Sequence, residues 1–117
     1  MYSVRIRDHI MIAHSSQGEV FGPAQQLHSA TYFVDAEFQS PTLDKNNIII
    51  DIGLATDLLK QAQSPLKFQN LDSMETFKDP VTTTEFLAKH IHEKLSETVK
   101  SFFSSSLKIT LGESHVA

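Results

Sequence analysis

Two histidines lie where two predicted strands would meet. His14 follows a run in which every second residue is apolar, including Ile10 and Ile12, and His28 opens a second alternating run. Such alternation is typical of half-buried strands. If the two strands pair antiparallel, the histidines become neighbours with Cβ atoms about 5 Å apart. Neutral imidazole is the commonest metal ligand among side chains, so this pair could hold a metal ion.

The same two histidines also have a purely structural interpretation, in which each is a hydrogen-bonded residue at a strand end. Catalytic zinc usually takes three protein ligands, and two leave the site incomplete. The other histidines add little, because His9 falls on the opposite strand face from His14. His90 and His92 are two residues apart on a predicted helix, where side chains diverge, so we expect both at the surface.

A carboxylate, Glu113, ends the last predicted strand. It has the same parity as Leu107, Ile109 and Leu111 and therefore emerges at the end of an apolar face. A carboxylate in that position is either solvated beyond the sheet or presented to a ligand. The sequence alone leaves both possibilities open.

Alternating segments predict two long antiparallel strands, residues 2–13 and 28–38, joined by an irregular loop. A third strand follows the serines at 104–106. Between them, Asp51 is placed to cap a helix that ends at Ser64 and Pro65. Its predicted apolar stripe is Leu54, Ala55, Leu58, Leu59 and Ala62.

A second helix is predicted to begin at a capping box formed by Thr82 and Glu85. Its predicted apolar stripe is Leu87, Ile91, Leu95, Val99 and Phe102. The order is thus strand, strand, helix, helix, strand. Antiparallel strands with segregated helices predict the α+β class, in a single domain spanning residues 1–117.

Composition excludes several classes of function. A net charge of −4 gives no basic footprint for nucleic acid, and no apolar run approaches the ~18 residues that suggest a membrane span. The first residues alternate and lack the apolar core of a signal peptide, so we expect a cytoplasmic protein. The chain contains no cysteine, which excludes disulfides, thiolate ligands and a cysteine nucleophile.

An ordered set of short motifs resembles the 6-pyruvoyl tetrahydropterin synthases and their bacterial relatives, the 6-carboxy-tetrahydropterin synthases. Together the motifs cover nearly the whole chain. In order, the motifs are Met11-Ile12-Ala13-His14, Leu27-His28-Ser29-Ala30-Thr31-Tyr32, Ile50-Asp51, Asn70-Leu71-Asp72, Thr83-Thr84-Glu85 and Leu111-Gly112-Glu113-Ser114.

The resemblance implies a T-fold, an antiparallel sheet with two helices on one face, whose subunits join into oligomeric barrels. It implies a homo-oligomer, trimer-based or hexameric, that acts on a small-molecule pterin with bound zinc. Carried over residue by residue, His14 and His28 match two zinc ligands, Glu113 matches the pterin anchor, and Thr83 with Thr84 matches the threonines lining the pocket.

Several positions depart from the family pattern. The third zinc ligand is replaced by Ala30, and the catalytic cysteine has no counterpart. The family's Asp-His pair is replaced by Lys67 and Phe68, and a phenyl ring cannot shuttle protons. The sequence ends four residues after Glu113, so we expect the fourth strand to be short or missing.

These departures leave two functional hypotheses. The first is a synthase-like carbon-oxygen lyase acting on a dihydropterin, with its chemistry altered or lost and zinc bound weakly or not at all. The alternative is a non-catalytic T-fold oligomer that binds a pterin or purine or has a structural role.

Overall fold

The computed structural model describes residues 1–113, and its sheet has the predicted antiparallel pairing. β1 (Tyr2–His14), β2 (His28–Ser40) and β3 (Ser106–Gly112) lie in the order β1-β2-β3. β1 extends one residue and β2 two residues beyond the predicted ends. The register pairs His14 with His28 at one end of the β1–β2 ladder and Tyr2 with Ser40 at the other.

Two helices cover one face of this sheet, as predicted. α1 (Ile52–Gln63) begins at Asp51, whose carboxylate accepts a hydrogen bond from the Leu54 N–H at 2.8 Å. Ala55, Leu58 and Leu59 are buried, but Leu54 is exposed rather than part of the apolar stripe. α1 contacts β1, whereas α2 (Thr84–Val99) contacts β3, and the two helices contact each other.

The start of α2 corrects the predicted capping box. Thr83, not Thr82, is the N-cap, and its hydroxyl accepts a hydrogen bond from the Phe86 N–H at 3.1 Å. Three consecutive threonines offer the same hydroxyl at neighbouring positions, so the pattern could not fix which one caps the helix. Thr82 is consequently free to contact His14, and Glu85 lies one position too early to complete the box.

The end of α2 contains a second correction. Leu87, Ile91, Leu95 and Val99 are buried as predicted, but Phe102 is 51% exposed. The helix ends at Val99, so the helical period no longer applies to the residues that follow. Phe103 enters the core instead, with its ring centroid 5.2 Å from that of Phe38.

The core lies between the helices and the inward side of the sheet. Alternate residues of the strands form the part of the core that the sheet contributes. The largest fully buried side chains are Ile10, Ile12, Tyr32, Val34, Phe38, Leu59, Leu66, Leu71, Leu87, Ile91 and Leu95, together with Gln63. The opposite sheet face carries charges. There Arg7 donates two hydrogen bonds to Asp35, at 2.7 and 2.9 Å.

Two histidines predicted at the surface prove to be packing residues. The His90 ring packs edge-on against Phe77 with a centroid distance of 5.0 Å, and burial lowers its pKa. His92 Nε2 lies 2.9 Å from the Leu107 carbonyl oxygen, to which it donates a hydrogen bond. Helical spacing correctly predicts that these two side chains point in different directions. It does not predict which neighbouring residues each ring contacts.

Two irregular connections approach the same end of the sheet. The β1–β2 loop contains a 3₁₀ helix at Glu19–Gln25, and the α1–α2 connection contains short 3₁₀ helices at Leu71–Ser73 and Glu75–Phe77. The second connection bonds to the end of β1, since Ala13 N–H donates to the Gln69 carbonyl at 3.0 Å. The residues after Glu113, where we expect a short or missing fourth strand, lie outside the described residues.

No helix within residues 1–113 has the length and apolar character needed to cross a membrane.

Candidate functional site

The sheet register brings His14 and His28 side by side. Their ring centroids are 4.6 Å apart and the ring planes are inclined by 58°. His14 is buried, at 4% exposure, whereas His28 is half-buried. The pair follows directly from strand parity, because both residues continue the inward face of their strands.

Each of these rings is held through its Nδ1 atom. His14 Nδ1 lies 3.0 Å from the Thr82 hydroxyl, and His28 Nδ1 lies 2.9 Å from the Gln26 carbonyl oxygen. A carbonyl oxygen only accepts, so His28 Nδ1 carries the proton and neutral His28 presents its Nε2 lone pair. Gln26 itself is fixed, because its N–H donates to the Pro23 carbonyl at 3.1 Å.

The electrostatic surroundings favour a neutral His14. Burial lowers the pKa of His14, and the neighbouring His28 lowers it further. Hydrogen bonding to Thr82 and the charges of Asp72 and Glu113 oppose this shift without reversing it. A neutral imidazole at this position can accept a hydrogen bond or a proton, or coordinate a metal ion.

Glu113, Tyr32 and Thr84 lie beside the histidine pair. The β2–β3 register pairs Phe33 with Gly112, so Glu113 follows on next to Tyr32. The Tyr32 hydroxyl is 3.4 Å from the Thr84 hydroxyl. The pKa of Tyr32 is raised, first by burial and then by the charges of Glu113 and Glu85. Glu113 is exposed and accessible to a ligand.

Asp72 closes one side of this region. Its carboxylate accepts hydrogen bonds from the Ser15 N–H at 3.1 Å and from the Ser15 hydroxyl at 2.6 Å. These bonds tie the α1–α2 connection to the residue that follows His14.

The sequence did not predict Asp72, Thr82 or Tyr32 as site residues. Tyr32 and Asp72 lie within motifs that resemble the family, and Tyr32 also shares the strand face of His28, whereas no signal pointed to Thr82 as a site residue.

The donor set does not fit a three-ligand zinc centre. The third position is the buried Ala30, which offers no donor atom. His9 points to the other sheet face, where its ring packs 4.7 Å from that of Phe33. Within residues 1–113, no group of three or more histidine, cysteine, aspartate or glutamate side chains could hold a metal ion. Two imidazoles alone leave most of a zinc coordination sphere to water.

The positions matched to the family's proton-transfer residues carry no titratable replacement suited to neutral pH. Phe68 is 72% exposed and has a backbone φ of 60°, a left-handed conformation unusual for a bulky residue. Its neighbour Lys67 places its amine 5.6 Å from the centroid of the Phe68 ring. Near the position of the missing cysteine, Gly22 has a positive φ of 53° and no side chain to offer.

Comparison with known proteins agrees with this architecture. A structure of the Caenorhabditis elegans 6-pyruvoyl tetrahydropterin synthase superposes with a TM-score of 0.82 at 21% sequence identity, covering 98% of this chain and 90% of that chain. This similarity confirms the predicted T-fold. A search of curated proteins found no match. The profile of the family described as 6-pyruvoyl tetrahydropterin synthase matches residues 3–117, nearly the whole chain, so the protein belongs to that family.

Proposed function

We propose that this protein binds a pterin-like heterocycle through Glu113 and that its lyase-type chemistry on a dihydropterin is altered or lost. The observation that carries the proposal is the position of Glu113, exposed at the end of β3 and beside the buried Tyr32. Family membership makes a pterin the first ligand to consider.

The chemistry of a carboxylate suits this ligand. The amino-oxo edge of a pterin or guanine presents two parallel N–H donors, and one carboxylate accepts both in a planar, charge-assisted pair. The half-buried Thr84 adds a hydroxyl group in the same region, 3.4 Å from that of Tyr32, while Tyr32 and Leu111 are themselves buried in the core beside Glu113. Thr83 is nearby but its hydroxyl already caps α2.

The proposed change in chemistry rests on the groups that would move protons. Glu113, Tyr32 and Thr84 do not depend on a cysteine or on an Asp-His pair, so binding can persist without them. The imidazoles beside the site are His14 and His28, and both are matched to zinc ligands rather than to proton-transfer residues. We therefore expect very low or no elimination from dihydroneopterin triphosphate.

Metal binding and assembly complete the proposal. With only His14 and His28 as donors, zinc affinity is weak, and extensive dialysis against a chelator removes the metal. Among the described residues, the outer edges of β1 and β3 have no strand partner beyond the short contact of residues 68–70 with the end of β1. Pairing of those edges between copies yields a homo-oligomer, trimer-based or hexameric, which light scattering at micromolar concentration detects.

The anchoring role of Glu113 is tested by calorimetry with neopterin. Glu113→Gln keeps the shape but removes the charge and one acceptor, which costs roughly 1.5–3 kcal/mol of binding, the scale of a hydrogen bond to a charged group. This corresponds to a dissociation constant that is roughly 10- to 150-fold larger. Glu37→Gln, on the opposite sheet face, is the matched control and leaves binding unchanged. Equal affinities of the Glu113→Gln variant and the unmodified protein would remove Glu113 from the site.

A further inference from the structure

A cavity of about 410 Å³ lies between the C-terminal half of α2, the end of α1 and the connection that joins the two helices. It is separate from the candidate site, because none of His14, His28 and Glu113 lines it. Small-molecule sites in proteins have volumes of roughly 300–1,000 Å³. The cavity is therefore large enough for a ligand that the proposed function does not use.

One side of the cavity is apolar and fixed by packing. The Phe77 ring is 4% exposed and packs edge-on against both Phe86 and His90, with centroid distances of 6.1 and 5.0 Å. Met74 and Ala62 also line the cavity and are half-buried, so a ligand can reach apolar surface there. A side built on a buried, packed ring is formed before any ligand arrives.

The α2 side of the cavity carries basic groups. His90 and Lys94 are four residues apart and are therefore neighbours on one helix face. Lys94 is exposed and forms no ion pair among the described residues, whereas Lys89 of the same helix pairs with Glu93 at 3.9 Å. Burial and then the charge of Lys94 lower the pKa of His90, against the opposing charge of Glu93. Lys94 is thus the available cation, and the neutral His90 ring is an N–H donor beside it.

One carboxylate limits the charge that a ligand can carry. Glu97, three residues after Lys94, also lines the cavity and is exposed. Its negative charge offsets part of the attraction that Lys94 exerts on an anion and repels a second anionic group. The lining therefore favours a ligand with one negative charge over a phosphate ester or a dicarboxylate.

We propose that this cavity is a second binding site, which takes a small monocarboxylate with an apolar ring or chain. The Lys94 ammonium and the His90 N–H donate to the carboxylate, and the apolar part of the ligand packs on Met74 and Ala62. Hydrogen bonds to a charged acceptor fix the orientation of the ligand, and burial of its apolar part adds affinity. The proposal does not depend on Glu113 or on neopterin binding.

Binding is tested by titrating the unmodified protein with 2-naphthoate and following the ¹³C-methyl signals of methionine. The chain has three methionines, of which Met74 lines the cavity, whereas Met1 and Met11 are exposed elsewhere. We expect a saturable shift of the Met74 signal alone. Two ligands with the same ring system, the uncharged 2-naphthamide and the doubly charged 2,6-naphthalenedicarboxylate, should both bind more weakly.

A matched pair of variants tests the role of Lys94. Lys94→Gln keeps most of the side-chain length but removes the charge, and should weaken 2-naphthoate binding about two- to fivefold, the scale of an exposed ion pair. Lys89→Gln, on the same helix but outside the cavity, is the control and leaves binding unchanged. Both positions are exposed, so we expect both variants to fold.

Four results would overturn the proposal. The site is refuted if the Met74 signal does not shift at about 10 mM 2-naphthoate, beyond the millimolar range of weak complexes. Equal shifts of all three methionine signals would show unspecific adsorption and refute it as well. Unchanged binding by Lys94→Gln, or equal or tighter binding of either control ligand, would refute the assigned ligand class.

Discussion

The strand ends and the loops around the candidate site differ in the chemistry they can support. The strand ends place His14, His28 and Glu113 at the same end of the sheet, where the proposed pterin-like ligand binds. The loop positions matched to proton transfer hold Lys67 and Phe68 instead of an Asp-His pair. Strand residues are fixed by register and share a packed core, whereas loop residues change with little effect on that core. Under the proposed function, binding and proton transfer therefore reside in separable parts of this fold.

The largest expected effect is on catalysis. Without a cysteine or an Asp-His pair, the unmodified protein should release triphosphate from dihydroneopterin triphosphate at least about 100-fold more slowly than a 6-pyruvoyl tetrahydropterin synthase, since positioned proton transfer contributes about 10²–10⁴-fold. Triphosphate release under identical conditions, with such a synthase as the positive control, is the measurement. Comparable rates would show that other residues have taken over proton transfer.

The two helix caps give a matched pair that separates stability from binding. Thr83→Ala and Asp51→Ala each remove an N-cap hydrogen bond and should each destabilise the fold by about 1 kcal/mol. Because only Thr83 lies beside the candidate site, only Thr83→Ala should also weaken neopterin binding. Urea unfolding and calorimetry on both variants test this. An equal loss of binding in Asp51→Ala would mean that the effect reflects general destabilisation.

A smaller effect is expected at Phe68, in the loop region. Among the described non-glycine residues, only Asn47 and Phe68 have positive φ, a conformation that glycine adopts without strain. Phe68→Gly should be neutral or stabilise the fold by up to about 1 kcal/mol. Gln69→Gly, at a residue without positive φ, should destabilise it by roughly 0.5–1 kcal/mol. Chemical denaturation compares the two, and a marked loss of neopterin binding in Phe68→Gly would give this loop a role in the site.

The smallest effect concerns the sheet face turned away from the helices. Hydrogen bonding from Arg7 lowers the pKa of Asp35 below its unfolded value. The ion pair therefore stabilises the fold above the unfolded pKa, about 3.9, and this contribution is lost as the pH falls through the lower folded pKa. Asp35→Asn should be less stable than the unmodified protein at pH 7, with the gap narrowing below about pH 4.

Unfolding midpoints across this pH range test the role of Asp35, and neopterin affinity at pH 7 serves as the control. A gap that widened on acidification would contradict the lowered pKa. A change in neopterin affinity would contradict the separation between this face and the site.

Strand alternation predicted much of the fold and part of the site. Because side chains alternate strictly along a strand, parity together with antiparallel pairing placed His14 beside His28 and put Glu113 on the same sheet face. Local patterns were insufficient where several residues could fill one role. Thr82 and Thr83 offer identical hydroxyls, and Phe102 and Phe103 offer identical rings just beyond a helix end. Contacts such as that of Thr82 with His14 join distant segments, and no local pattern reports them.

The most direct test compares neopterin with an otherwise identical pteridine that carries a carbonyl in place of the 2-amino group. A carboxylate that reads the amino-oxo edge loses one donor in the second ligand, so binding should weaken by roughly 1.5–3 kcal/mol. Calorimetry on the unmodified protein should therefore show neopterin binding and a second ligand that binds at least about tenfold more weakly. Absence of neopterin binding, or equal affinity for the two ligands, would contradict the account.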